Sequence, residues 1–210
     1  MAKIGIMGGT FDPIHNAHLM LGRQAFNEYH LDEVWFMPSH NPPHKTDHHV
    51  TDTKDRCEMV KLAIADDPYF RFSDFEITRA GNTYTAQTLK LLKEAYPEHT
   101  FFFILGADSL YHIESWYHPE EVLRQVTILV AGRVCDDATC SLKEQVAYLK
   151  NKYGAAIFLL HTDVMTVSSQ SLRERKQHGG GVHDLVPPSV EHYIEEHGLY
   201  QDFGSGGKYS

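Results

Sequence analysis

Apolar residues in this chain fall into short runs that alternate with amphipathic stretches almost from end to end. KIGIM (3–7), EVWFM (33–37), YFRFSDFEI (69–77), TFFFIL (100–105), TILVA (127–131) and AAIFLL (155–160) have the length and the β-branched or aromatic content of strands. Between them, 17–30, 54–65, 83–96 and 141–154 repeat apolar positions three and four apart, as helices with one buried face do. In the second of these, Met59, Val60, Leu62 and Ala63 make that face. Pro38 ends the second strand, Pro97 and Gly154 close two of the helices, and two short helices are predicted after 160. TFFFIL is a nearly continuous apolar run, which predicts a central strand buried on both faces. Repeated β-α-β order predicts an α/β fold: a doubly wound parallel sheet with right-handed crossovers and helices on both faces. No internal repeat or linker divides the sequence, so a single domain is expected over 1–203, with GSGGKYS (204–210) as a disordered tail.

Composition narrows the class. Of 210 residues, 42% are hydrophobic and 22% charged, enough to bury a substantial core. No apolar run approaches the roughly 20 residues that cross a bilayer, and MAKIGIMGG enters a strand pattern without the charged and apolar regions of a secretion signal. A cytoplasmic protein with no membrane partner is therefore expected. The formal net charge of −9 argues against a nucleic-acid partner. It leaves room for an anionic small molecule, because a local cluster outweighs the global sign at short range. Cys57, Cys135 and Cys140 fit neither a disulfide framework nor a paired zinc motif and read as reduced thiols. Four of the fifteen histidines (His40, His44, His48, His49) crowd into SHNPPHKTDHH. They read as a solvated loop rather than a metal tract, and no metal ligand is assigned.

The chemistry concentrates in IGIMGGTFDPIHNAH (4–18). Gly8-Gly9 ends the first strand, where ligands of doubly wound sheets bind. Glycine admits unusual backbone angles and removes the side chain that would keep a phosphate off the backbone. The next helix is expected to start near Ile14 or His15 and to aim its N–H groups at the same space. Neither a Walker sequence nor G-x-G-x-x-G occurs, so a tightly held dinucleotide cofactor is not indicated. His15 and His18 lie three apart on one helical face. Ordinary core histidines and metal ligands are the competing readings, but H-E-x-x-H spacing is absent. Donors to a phosphate fit best, since the glycine turn points to the same place.

GGTFDPIHNAH resembles the signature of the nucleotidyltransferase superfamily, a Rossmann-like fold whose H-x-G-H element binds ATP phosphates and stabilises the transition state of nucleotidyl transfer. Ala17 stands where that element usually has glycine. MPSHNPPHK (37–45), DFEITRAGNTYTAQTL (74–89), FILGAD (103–108), SWY (115–117), VSSQSLRER (167–175) and VPPSVEHYIEEHGLY (186–200) are similar to bacterial nicotinate-nucleotide adenylyltransferases nearly end to end. The resemblance implies that ATP and nicotinate mononucleotide are joined into nicotinate adenine dinucleotide plus pyrophosphate, without a covalent intermediate. Mg²⁺ is then carried by ATP phosphates. Sister enzymes using nicotinamide mononucleotide or phosphopantetheine, and a catalytically silent nucleotide binder, are the alternatives. Oligomerisation is left open.

The same resemblance assigns His15, His18, Lys45 and Arg173 to catalysis. It gives Gly8, Gly9, Thr10, Phe11, His15, His18, Gly106, Asp108, Ser168, Ser169 and Arg173 to ATP. Lys45, Thr85, Trp116 and Tyr117 go to the mononucleotide, with the backbone near Thr85 and Tyr117 taking the pyridine carboxylate and Trp116 stacking on the ring. Read from the residues, NTYTAQTL opens a helix whose first N–H groups make an anion site, although threonine capping would look the same. Ser171-x-x-Glu174 likewise reads as a capping box. Gln170, where the family more often has threonine, is given no contact.

Overall fold

The computed structural model describes residues 1–40, 50–79, 81, 83–131, 141–161 and 167–201. Lys45, His44, His48, His49, Cys135, Cys140 and the 204–210 tail lie outside the described residues.

Six strands form one sheet in which all pairings are parallel, in the order β3-β2-β1-β4-β5-β6. They are β1 (Lys3–Gly9), β2 (Glu33–Pro38), β3 (Phe70–Phe72), β4 (Thr100–Gly106), β5 (Thr127–Ala131) and β6 (Ile157–Leu160). The expected doubly wound arrangement is present, and the strand order reverses between β1 and β4. Eight helices fall among the described residues. They are α1 (Asn16–Tyr29), α2 (Thr53–Ile64), α3 (Thr85–Ala95), α4 (Ala107–Tyr111), α5 (Pro119–Gln125), α6 (Leu142–Tyr153), α7 (Ser169–Gln177) and α8 (Pro188–Glu196).

The alternation of side chains along each strand feeds two cores, one on each sheet face. Met7, Ile104 and Leu129 point into the core shared with α1, α2, α7 and α8. Their strand neighbours Ile6, Phe103 and Ile128 point into the other, shared with α3 to α6. Central strands buried on both faces need apolar residues at every position, which is why TFFFIL reads as an unbroken run.

Three local expectations change. The apolar stretch 69–77 keeps only Phe70–Phe72 as strand. After it the chain turns, with the Thr78 N–H donating to the Asp74 carbonyl at 3.0 Å, and Phe75 packs on the second core instead. A short helix, α4, and a 3-10 turn at Ile113–Ser115 follow β4 directly. Helix α5 opens with Pro119 at its first position, a placement proline favours. These pieces are too short to show a helical period, so pattern alone does not reveal them.

Candidate active site

Where β1 and β4 diverge, their carboxyl ends open into a cleft of about 450 Å³. Eight residues named from sequence line it: Gly8, Gly9, Thr10 and His18 on the β1–α1 side, Gly106 beneath, and Thr85, Trp116 and Tyr117 opposite. The two ends of the cleft are thus built by the glycine strand end and by the start of α3.

Gly8 and Gly9 are the last residues of β1, and neither is among the positive-φ residues. Unusual backbone angles are therefore not their use here. A Cβ on Gly8 would meet only the Phe103 ring, at 3.5 Å, an ordinary contact. What the glycine provides is bare backbone toward the cleft. The left-handed residue is Phe11 instead, at φ +50°. Its ring is buried against Phe36 and, edge-on, against His18 at 5.1 Å, so its side chain does not reach the cleft.

His15 occupies the N-cap of α1 with extended backbone. The His15 N–H donates to Nδ1 of His18 at 3.2 Å, and the two rings stack with centroids 3.7 Å apart. With Nδ1 accepting, the neutral His18 imidazole carries its proton on Nε2 and can donate there. His15 is buried behind it and does not line the cleft. The first N–H groups of α1 serve the fold more than a ligand. Asn16 donates to the Leu185 carbonyl at 2.8 Å and His18 to the His15 carbonyl at 2.9 Å. The methyl of Ala17, the departure from the family pattern, packs on the core.

At the opposite wall, Tyr84 is the N-cap of α3 and makes no side-chain capping hydrogen bond. Threonine capping therefore does not account for NTYTAQTL, and Thr85 is simply the first helical residue, with its N–H at the helix start. Trp116 stands edge-on to Phe103 at 6.3 Å. Tyr117, 51% exposed, lies over the Tyr84 ring with centroids 4.4 Å apart.

Two lining residues escaped the sequence reading. Ser109 lies in α4, and Glu76 belongs to the turn after β3. Oε1 of Glu76 accepts the Thr88 hydroxyl at 2.7 Å, and the same hydroxyl accepts from Arg79 at 2.9 Å. Burial pushes the Glu76 carboxyl above its usual range, partly offset by the hydrogen bonds of Thr88 and Thr83 and by the Arg79 charge. The DFEITR sequence held the signal, but an apolar-polar alternation there reads equally well as strand.

The remaining named residues sit beside the cleft. Asp108 is exposed in the first turn of α4. Ser168 caps α7 by accepting the Ser171 N–H at 3.1 Å, so the capping box begins at Ser168 and not at Ser171. Ser169 donates to the Pro13 carbonyl at 2.9 Å, and Arg173 to the Asp12 carbonyl at 2.6 Å. The distant serine-arginine segment thus meets the turn between Gly9 and His15. Its arginine lines a neighbouring polar cleft of about 420 Å³ with Thr51, Gln170 and Tyr200. Among the described residues no three His, Cys, Asp or Glu side chains gather as a metal site. No described helix is long and apolar enough to cross a membrane.

Comparison with known proteins agrees with this layout. The cytidylyltransferase-like family model matches residues 6–175. A probable nicotinate-nucleotide adenylyltransferase of Lachnoclostridium phytofermentans is 44% identical over 95% of this chain and all of its own length. One of the same name from a Synechococcus strain is 43% identical over 95% of both chains. Among solved structures, Plasmodium falciparum nicotinic acid mononucleotide adenylyltransferase complexed with NaAD has a TM-score of 0.78. It is 24% identical and aligns over 95% of this chain and 98% of its own, which speaks to the fold. The chain belongs to the cytidylyltransferase-like family and, within it, to the nicotinate-nucleotide adenylyltransferases.

Proposed function

We propose that this chain transfers the adenylyl group of ATP to nicotinate mononucleotide, giving nicotinate adenine dinucleotide and pyrophosphate. The observation that carries it is one cleft with two chemically different ends. Bare strand backbone and the His18 Nε2–H stand at one end. An uncapped helix start flanked by Trp116 and Tyr117 stands at the other. The first suits phosphates. The second suits an aromatic ring bearing a carboxylate, because converging N–H donors bind an anion more strongly than a neutral amide.

In this mechanism a phosphate oxygen of the mononucleotide attacks the α-phosphorus of ATP. The new O–P bond forms as the bond to the β-phosphate's bridging oxygen breaks in line, and the electron pair leaves with pyrophosphate. The attacking phosphate is already anionic, so no general base is needed. Catalysis becomes the positioning of two polyanions and the neutralisation of developing charge. His18 donates to the α-phosphate, and His15 holds the His18 ring by stacking and through its own N–H. Gly8, Gly9, Thr10 and the Phe11 backbone line the phosphate path. Gly106 and Asp108 face the ribose or the metal-bound phosphates. Ser168, Ser169 and Arg173 hold the leaving group, and Lys45 approaches the α-phosphate. Thr85 and Tyr117 take the carboxylate through their backbone, and Trp116 stacks on the ring. Mg²⁺ fits this donor set as a rider on phosphate oxygens and water, where it lowers the triphosphate's charge. A soluble cytoplasmic setting suits such substrates.

Incubating the chain with ATP and either mononucleotide, and identifying the product, tests this reading. Pyrophosphate release with the nicotinate form and a clear preference for it over the amide are expected. Preference for nicotinamide mononucleotide, or no release with either, contradicts it.

A further inference from the structure

Tyr200 donates its hydroxyl to Oδ1 of Asp12 at 2.7 Å, across most of the chain. It does so with its own backbone in the left-handed region, at φ +61°, a conformation unfavourable for a residue with a side chain. Asp12 is 3% exposed, and its second oxygen accepts the Thr51 N–H at 3.3 Å. The same oxygen lies 4.0 Å from Nη1 of Arg173, which donates instead to the Asp12 carbonyl. Burial and the Asp12 charge both raise the Tyr200 phenol, so it remains a neutral donor.

A buried carboxylate takes whatever donors lie in reach. Two guanidinium groups are near Asp12, and they differ in what they have left to give. All five N–H donors of Arg56 are already bonded. They reach the carbonyls of Thr51, Thr10, Ser39 and His40 and the Thr53 hydroxyl. Arg173 has donors remaining and stands about 1 Å beyond charge-assisted contact with the carboxylate.

We propose that Tyr200 is a positioning residue for Arg173. Its hydroxyl occupies the Asp12 carboxylate with a neutral donor, which keeps Arg173 beside the turn but uncaptured, with N–H groups left for an anion. This rests on the reading that Arg173 holds the leaving pyrophosphate. Without the hydroxyl, Arg173 closes the gap to Asp12 and is lost to that ligand.

Calorimetric titration of the full chain with inorganic pyrophosphate reads this directly. Tyr200→Phe is expected to weaken pyrophosphate binding about tenfold, the size of one hydrogen bond to a charged group. KM for ATP rises with it, while KM for nicotinate mononucleotide stays within about twofold, a split that general destabilisation does not produce. Adding Asp12→Asn removes the anion that captures Arg173 and restores pyrophosphate affinity to within about threefold of the starting value. Unchanged affinity in Tyr200→Phe, or a loss that Asp12→Asn fails to recover, overturns the proposal. Should Tyr200→Phe not fold, Asp12→Asn alone decides. It is expected to bind pyrophosphate at least as tightly as the unaltered chain, and binding about tenfold weaker overturns the proposal. Arg173→Met separates the premise: equal pyrophosphate binding with and without Arg173 refutes its assignment to the leaving group, and the role of Tyr200 with it.

Discussion

At the scale of the residue, His18 and Glu76 make opposite contributions. His18 accepts the His15 N–H through Nδ1, which leaves Nε2–H for the phosphate whose charge grows in the transition state. Its replacement by alanine removes one preorganised donor, expected to lower kcat about 10²- to 10³-fold. Thermal stability changes little, since only one backbone hydrogen bond is lost. A readily unfolding variant with near-normal turnover contradicts the assignment. Glu76 places a carboxylate in a cleft read as binding polyanions, and burial raises its folded-state pKa above the ordinary 4.5. The sign follows from linkage. The folded state holds that proton more tightly than the unfolded one, so the stabilising contribution is complete below the unfolded value and lost as pH rises through the folded one. Glu76→Gln retains an acceptor for the Thr88 hydroxyl and removes the buried charge. It is expected to raise the melting temperature at neutral pH and flatten the dependence of stability on pH just above 4.5. A neutral-pH melting temperature lower than that of the unaltered chain contradicts this.

At the scale of the element, the first turn of α3 carries the selectivity. Thr85 is its first helical residue, the position where proline is tolerated best. Tyr84 before it is already extended, at φ −105° and ψ 133°, as a residue preceding proline must be. Thr85→Pro therefore deletes one N–H with little cost to the helix, and Thr85→Ala serves as the control that keeps it. KM for nicotinate mononucleotide is expected to rise about tenfold or more in the proline variant only, with KM for ATP unchanged, measured by pyrophosphate release. Equal KM values in the two variants contradict the anion site. Element-level features also separate what sequence reveals from what it hides. The glycine strand end, the histidine spacing and the start of α3 are local, and all were legible. The identity of the α3 cap was not, because Tyr84, Thr83 and Thr85 all precede the same apolar run. The left-handed backbone at Phe11 was not either, since a bulky aromatic is a poor candidate for it and only its buried contacts explain it.

At the scale of the whole molecule, the sheet brings the two ends of one cleft together, and Arg56 ties its edges. Its guanidinium is 1% exposed and bonds three segments at once: the turn after β1, the exit from β2 and the entry to α2. Burial works against its charge, and Asp12 is the largest opposing influence. Arg56→Met leaves buried carbonyls and the Asp12 charge without this partner, expected to cost about 3 kcal/mol or more of unfolding free energy in a denaturant titration. A loss below about 1 kcal/mol contradicts this stitching role. Strand order and both cores follow from runs and periods readable along the chain. The meeting of Asp12, Arg56, Arg173 and Tyr200 was not readable, because it joins residues far apart in sequence whose polar character suggested only a turn and a surface. A crystal structure of the chain with nicotinate adenine dinucleotide tests the central claim most directly. The pyridine carboxylate is expected about 3 Å from the Thr85 N–H with the ring on Trp116, and the phosphates against Gly8, Gly9 and His18. A dinucleotide lodged outside this cleft, or lying in it with its ends exchanged, contradicts that claim.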